Sequence, residues 1–141
     1  MTLSLTSWLR PSRTAYAHCD IPCGIYDPHE AEIAAETVEK MVSLLNDLGE
    51  NDGSIAFRNS TVRYIAAKEE HAEKVKRQVL IIWGDFIKPP HVEAFPDIHD
   101  KVWNLVKLAG ANKVNADAEL AANLRAGVKE FADTFWAMKK L

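Results

Sequence analysis

Apolar residues recur three to four positions apart through most of the chain after residue 27, and charged residues fill the positions between them. Residues at this spacing lie on one face of an α-helix, the face that packs against the rest of a protein. The pattern predicts four helices, over about residues 27–48, 56–87, 96–108 and 116–140. Because four amphipathic helices with short links pack most economically as a bundle, we predict an all-α fold, an antiparallel four-helix bundle.

Local signals mark the predicted helix ends. Asp27 is expected to cap the first helix, with Pro28 at its first position and Glu30 closing a capping box. The predicted ends of the first three helices are Gly49, the run Lys88-Pro89-Pro90 and Gly110. On the buried faces we expect, among others, Ile33 in the first helix, Val62, Ile65 and Trp83 in the second, and the aromatic residues of the second and fourth.

The composition limits the class of protein. The chain has 141 residues and is 48% hydrophobic, which is enough for one domain with a buried core. No apolar stretch approaches the length of a membrane span. The net charge is −3, which does not indicate a basic surface for nucleic acid. We therefore expect neither a membrane nor a nucleic-acid partner.

Both cysteines of the chain lie in the segment His18-Cys19-Asp20-Ile21-Pro22-Cys23-Gly24-Ile25-Tyr26-Asp27-Pro28. Their three-residue spacing differs from the two-residue spacing of structural zinc sites and of thioredoxin-like enzymes. Pro22 and Gly24 indicate a tight turn that directs Cys19 and Cys23 at one point. The pair can form a disulfide, act as a redox dithiol or bind a metal as thiolates.

Residues 1–17 resemble a cleavable leader, because Ala15-Tyr16-Ala17 has the small-x-small pattern that processing enzymes cut. A disordered tail or an organelle-targeting peptide are the alternatives. Cleavage would make His18 the N-terminus and offer its amine, its imidazole, the amide nitrogen of Cys19 and two thiolates. Two nitrogens and two sulfurs in a square suit nickel(II) or copper(II). Reduced thiolates also favour a reducing compartment, here the cytoplasm.

Residues 18–28 closely resemble the nickel hook of nickel-containing superoxide dismutases. Trp83-Gly84-Asp85-Phe86-Ile87-Lys88-Pro89-Pro90-His91 and Phe95-Pro96-Asp97-Ile98-His99 are similar to later stretches of that family, so the resemblance covers nearly everything after Ala17. It implies a leader at 1–17, removed by a processing protease, and a four-helix domain at 18–141 with a metal-binding hook at 18–26. It also implies a homohexamer in which each chain binds one nickel ion through His18, Cys19 and Cys23.

The resemblance further implies an activity. Superoxide would be converted to dioxygen and hydrogen peroxide through a Ni(II)/Ni(III) cycle, with Tyr26 as a gate or proton-delivering partner and Asp20 shaping the turn. The chain departs from the family where Ala34 and Ala67 replace a glutamate–arginine pair behind the hook histidine. Phe86 likewise replaces a tyrosine. Partners around metal ligands usually set ligand geometry.

Two other classes of protein remain open on the residues alone. A thiol–disulfide or copper/zinc-binding module would use Cys19 and Cys23 without cleavage after Ala17, and a purely helical interaction protein would not need either thiol. The other histidines, which are His29, His71, His91 and His99, form no H-x3-H pattern and are expected at the surface or in interfaces.

Overall fold

The computed structural model describes residues 24–141, and this part of the chain contains helices and no strand. The elements are α1 (His29–Asp47), α2 (Ile55–Ile81), a π-helical segment (Ile82–Phe86), α3 (Pro89–Ala94), α4 (Ile98–Val114) and α5 (Ala118–Met138). None of the helices in this range is both long and apolar enough to cross a membrane. The predicted all-α bundle is confirmed, with the short α3 as an addition.

The four long helices form a closed ring of neighbours. α1 packs against α2 and α5, and α4 packs against the same two helices. Gln78 of α2 donates to Glu30 of α1 at 2.5 Å, which places the start of α1 beside the end of α2. The bundle therefore has a hook end, where α1 begins and α5 ends, and a turn end, which carries the Leu48–Ser54 turn between α1 and α2.

The core combines small side chains from α1 with large ones from α5. The buried residues of α1 are Ala31, Ala34, Ala35, Val38 and Val42, and those of α5 include Leu124, Val128, Phe131, Phe135 and Met138. The alanines let the neighbouring helices approach α1 closely, so that the larger side chains of α5 fill the space between helices. The core is continuous along α1 and α5.

Five residues predicted to be buried are substantially exposed, so those predictions were wrong. Ile33 lies outside the alanine stripe of α1 and is 49% exposed. Val62 and Ile65 lie in the first half of α2, where no residue is buried because the buried face of α2 begins at Lys68. Trp83 in the π-helical segment is 38% exposed, and Trp136 of α5, another of the aromatic residues expected in the core, is 41% exposed.

The start of α1 differs from the predicted capping box. The helix begins at His29, and the carboxylate Oδ1 of Asp27 accepts a hydrogen bond from the His29 amide at 2.8 Å. Glu30 does not close a box, because its carboxylate instead accepts the bond from Gln78. Asp27 thus stabilises the first turn as expected, while Glu30 joins two helices.

The second helix ends differently from the prediction. α2 stops at Ile81, and Ile82–Phe86 continues as a π-helix, a rare form that is frequent at functional sites. The proline pair after Lys88 ends this helix and also begins α3, since proline is favoured in the first turn. The amide of Lys88 donates to Nδ1 of His91 at 3.0 Å, which stabilises that short turn.

Gly110 was predicted to close the third helix, but α4 continues to Val114. The last turn is held by Lys68 of α2, whose side chain is buried with only 2% exposed. Its Nζ donates to the carbonyls of Asn112, Lys113 and Asn115 at 2.5, 2.8 and 2.9 Å. These are carbonyls that a helix leaves without partners at its C-terminal end. A tertiary contact therefore extends the helix beyond the glycine.

Candidate metal centre

The predicted ligands His18, Cys19 and Cys23 lie outside the described residues, as does Asp20. The described chain begins at Gly24, directly after Cys23. Gly24 has a φ of 90° in a turn, a backbone conformation that side chains with a Cβ rarely adopt. This agrees with the turn predicted around the second cysteine. Residues 24–26 lie at the end of the bundle where α1 begins.

Tyr26 joins the hook to the core. It is 6% exposed, and its ring packs edge-on against Phe86 with centroids 6.1 Å apart. Phe86 in turn lies 4.7 Å from Phe135 and stacks on the His91 ring at 4.9 Å. We call Tyr26, Phe86, His91 and Phe135 the aromatic cluster. Edge-on and stacked rings give such clusters directional stability beyond buried area alone.

The backbone of Tyr26 is held from the other terminus of the chain. Nζ of Lys139 donates to the Tyr26 carbonyl at 3.0 Å. The same Nζ lies 5.4 Å from the ring centroid of Phe135 and 5.0 Å from that of Trp136. A cation over aromatic faces is attracted to them. The side chain and the carbonyl of Tyr26 are thus fixed by separate contacts.

The family departures noted in the sequence can be placed. Ala34 is fully buried in α1, and Ala67 is half-buried in α2. Neither methyl group can hydrogen-bond, although the Ala67 carbonyl accepts a hydrogen bond from Nδ1 of His71 at 2.8 Å. Phe86 supplies ring packing against Tyr26 without a hydroxyl. Ala34 and Phe86 therefore contribute shape rather than polar contacts, and Ala67 lies beside Lys68 on the part of α2 nearer the turn end.

The four histidines in the described range take separate structural roles. His29 is exposed at the start of α1, while His91 belongs to the aromatic cluster and His71 bonds to its own helix. His99 accepts a hydrogen bond at Nδ1 from Nε1 of Trp83 at 2.9 Å. Between residues 24 and 141, no three His, Cys, Asp or Glu side chains are grouped closely enough to hold a metal ion.

A family model for nickel-containing superoxide dismutase matches residues 13–139, which is nearly the whole chain. The chain belongs to the nickel-containing superoxide dismutase family. It is therefore a superoxide dismutase, an oxidoreductase with nickel as its cofactor. The prediction of family, activity class and metal is confirmed.

Known relatives agree with this assignment along most of the chain. Nickel superoxide dismutases of Streptomyces coelicolor and Streptomyces seoulensis are each 33% identical over 136 residues, covering 96% of this chain and 98% of theirs. A native NiSOD crystal structure matches with a TM-score of 0.74 and 34% identity, covering 86% of this chain and 99% of that one. A second, with Ni ligation corresponding to the oxidized state, gives 0.75 and 32%, covering 88% and 100%.

The donor chemistry of this nickel superoxide dismutase fits its metal. With His18 at the N-terminus, the predicted donors would be its amine and imidazole, the amide nitrogen of Cys19 and two thiolates, and a square of two nitrogens and two sulfurs suits nickel. The structure adds a rigid support three residues after the last thiol, at Tyr26. A loop site gains fixed geometry from a support of this kind.

The sequence did not indicate the contact of Lys139 with the base of the hook. A lysine near the end of a helix usually indicates a solvated charge. The available signal was the pair Phe135-Trp136 just before it, because a lysine beside two aromatic rings can lie over their faces. Even so, its partner 113 residues away could not be identified from the pattern.

Proposed function

We propose that this nickel superoxide dismutase acts through a hook at residues 18–26 that becomes competent when residues 1–17 are removed. Two superoxide ions and two protons would give one dioxygen and one hydrogen peroxide. The observation that carries the proposal is the fixed position of Tyr26, three residues after Cys23, at the end of the bundle where α1 begins.

We propose that His18 would hold nickel through its amine and imidazole, Cys19 through its amide nitrogen and thiolate, and Cys23 through its thiolate. Nickel in such a donor set supplies one-electron chemistry, a Ni(II)/Ni(III) cycle in which thiolate and amide donors stabilise the higher state. Cys19 and Cys23 would therefore have two roles, to bind nickel and to adjust its reduction potential. The ligands of a metal and the groups that contact them set both its affinity and its redox behaviour.

Tyr26 and Asp20 are proposed as the nearby protein groups. Tyr26 is held by its ring in the aromatic cluster, so its hydroxyl has a fixed direction from which it can limit access or pass a proton through water. Asp20 would act as a hydrogen-bond acceptor within the turn. Support for Tyr26 comes from its buried ring and from the bond of its carbonyl to Lys139, three residues after Cys23.

Removal of residues 1–17 by a processing protease is part of the proposal. Support comes from the difference in matched lengths. The oxidized-state structure pairs over its whole length with 88% of this chain, whereas the Streptomyces relatives pair with 96%. The Streptomyces relatives thus match a longer part of this chain than the solved chain does, as expected if the solved chain lacks a leader.

We further propose a homohexamer in the cytoplasm, as the family resemblance implies. Several large apolar side chains are exposed on one chain, among them Ile25 at 76%, Val62 at 66% and Trp103 at 62%. Exposed apolar residues of this size are typical of contacts between subunits. The need for reduced thiolates supports a reducing compartment. Light scattering on the processed protein should give six times the mass of one chain.

The proposal is tested by preparing the full chain and a chain that begins at His18, each supplied with nickel. We expect about one nickel per chain and superoxide turnover only in the form that begins at His18, because only in that form is the amine of His18 free to bind nickel. Metal analysis and superoxide decay are measured on the same sample. A third form with one glycine before His18 controls for the length of the chain and should lose most activity.

Two results would contradict this proposal. Equal activity in the full chain would favour a thiol or metal module that needs no amine ligand. Full turnover after Cys19→Ser and Cys23→Ser would show that neither thiolate holds the metal. Circular dichroism on each variant checks that the bundle is intact, which separates loss of the site from loss of the fold.

A further inference from the structure

We propose that Lys139 is a positioning residue that holds the base of the hook against the bundle. Its side chain fixes the carbonyl of Tyr26, three residues after Cys23. The part of this inference that concerns the metal rests on the proposed function. The contact itself, between Nζ of Lys139 and the carbonyl of Tyr26 at 3.0 Å, lies entirely within the described chain.

The position of the Lys139 ammonium is set by its own helix. Lys139 is the C-cap residue directly after α5, and its amide donates to the carbonyl of Phe135 at 2.9 Å. Its Nζ lies over the rings of Phe135 and Trp136 at 5.4 and 5.0 Å. Phe135 is 1% exposed and belongs to the core. The donor is therefore held by a rigid element and by attraction to two aromatic faces.

The acceptor is equally well placed to transmit this restraint. The Tyr26 ring is fixed by the aromatic cluster, but a ring contact leaves the peptide plane free to rotate about the bonds of the backbone. A charged donor at the carbonyl selects one orientation of that plane, and charge-assisted hydrogen bonds are shorter and stronger than neutral ones. Ring and carbonyl together define both the place and the direction in which the chain leaves the core.

The distance from this restraint to the proposed ligands is short. Tyr26 is three positions after Cys23, so their Cα atoms are at most about 10 Å apart even when the chain is extended. A rotation of the Tyr26 peptide therefore displaces Cys23 relative to the bundle. Small displacements at a reacting centre can reduce turnover by about 100-fold. Lys139 does not have to approach the metal to affect it.

A different role for Lys139 is attraction of the superoxide anion by its charge. Such steering acts through space and weakens as salt is added. Positioning acts through the hydrogen bond and persists at high salt. The two roles therefore predict different responses to ionic strength, and they differ further in whether the backbone of residues 25–27 changes.

The variant is Lys139→Met, which keeps the aliphatic stem and removes the donor and charge. Lys140→Met is the matched control, because Lys140 is the next residue, is exposed and makes no side-chain hydrogen bond with any residue from 24 to 141. The first measurement is amide hydrogen exchange in the metal-free chain that begins at His18. We expect exchange of the His29 amide, which donates to Asp27 directly after Tyr26, to be at least about 10-fold faster in Lys139→Met and unchanged in Lys140→Met.

The second measurement uses nickel-loaded protein. We expect Lys139→Met to change the absorption and electron paramagnetic resonance spectra of the nickel site and to lower kcat by about 10-fold at both low and high salt. Lys139→Arg keeps a charged donor over the rings and should restore part of kcat and the exchange protection. Lys140→Met should behave as the parent protein in each measurement.

Unchanged exchange in Lys139→Met would overturn the inference, whatever the nickel measurements show. Faster exchange with unaltered spectra and kcat would also overturn it, because the contact would then be packing without influence on the site. A loss of turnover confined to low salt, with exchange unchanged, would assign steering instead. Failure of the parent chain to bind nickel would contradict the proposed function, while the exchange measurement would still decide the role of Lys139 at the hook base.

Discussion

Two lysines at opposite ends of the bundle donate to backbone carbonyls, and their surroundings differ. Lys68, towards the turn end, is 2% exposed and binds three carbonyls at the close of α4. Lys139, at the hook end, is exposed at the surface and binds the single carbonyl of Tyr26. The three N–H groups of the Lys68 ammonium meet three carbonyls. The Lys139 ammonium donates to one carbonyl and also lies over the rings of Phe135 and Trp136.

The difference separates stability of the fold from position of a segment. The carbonyls that Lys68 binds belong to a long helix in the core, so losing this contact should affect the whole domain. The carbonyl that Lys139 binds belongs to the short segment just before α1. Similar hydrogen bonds thus have different consequences, because one supports many packed residues and the other supports a short segment.

The largest expected effect is that of Lys68→Met. This change removes a charged donor from three helix-terminal carbonyls and should lower the free energy of unfolding by about 2 to 4 kcal/mol. The melting temperature should fall by about 10 °C. Thermal unfolding followed by circular dichroism measures the change. Activity per folded molecule should stay within about twofold of the parent, since Lys68 is far from the hook end.

Lys74→Met provides the control for Lys68→Met. Lys74 is an exposed lysine of the same helix, so it tests the loss of one charge from α2 without the loss of the three bonds. Surface substitutions of this kind usually change stability by less than about 0.5 kcal/mol. If both variants unfold at the same temperature, the contacts at the turn end are not what stabilises α4.

A smaller effect is expected midway between the two ends, at Gly127 of α5. A Cβ added there would lie 3.1 Å from Cδ1 of Leu105, and both residues line a cavity of about 200 Å³ between α4 and α5. Because Leu105 can turn into this space, Gly127→Ala should gain helix propensity and raise the free energy of unfolding by up to about 1 kcal/mol. Denaturant unfolding checks this, and a decrease would mean that Leu105 cannot move.

The smallest expected effect concerns pH and Lys101 of α4. Hydrogen bonds with Glu130 and then Asp97, each with an N–O distance of 3.1 Å, raise the pKa of Lys101 above its usual 10.5. A raised pKa means that the contribution to stability is fully present below about pH 10.5 and is lost as the pH rises through the folded-state pKa. The pair is partly exposed, so Lys101→Met should cost only about 0.5 kcal/mol near neutral pH.

Thermal unfolding at about pH 8 and about pH 11.5 tests the Lys101 prediction. The difference between the parent and Lys101→Met should shrink at the higher pH. Lys40→Met serves as the control, since Lys40 is exposed and forms no ion pair with any residue in the range 24–141. A constant difference at both values would show that Lys101 stabilises through packing of its aliphatic stem rather than through its charge.

The sequence predicted the bundle because its signal is strong over long segments. Apolar spacing determined four helices, and their short links implied antiparallel neighbours. Ends were predicted less well. Glycine is a common helix terminator, yet α4 continues past Gly110. The reason is that Lys68, 44 residues before Asn112 in the chain, binds the carbonyls at the end of the helix. The pattern of a single helix cannot show such a contact, since the donor lies on another helix.

The candidate site divides in the same way. The predicted ligands His18, Cys19 and Cys23 rest on their grouping within six residues and on a specific family pattern, and they stay a prediction because they lie outside the described residues. What positions them was not readable, because Tyr26 meets Phe86, Phe135 and Lys139 only after the bundle has formed. Exposure of Ile33 and Val62 was missed for a related reason, namely that helical spacing indicates a face but not how far its neighbours extend.

The closeness of Leu141 to Lys139 has a practical consequence for protein engineering. An affinity tag fused after Leu141 would begin two residues from the lysine that binds the Tyr26 carbonyl, and under the proposed function one fused directly before His18 would block its amine. The Leu48–Ser54 turn offers a better place for an insertion. It is exposed at Gly49 and Gly53, which both have positive φ, and it lies at the opposite end of the bundle. A tag placed there would leave the contact between Lys139 and Tyr26 undisturbed.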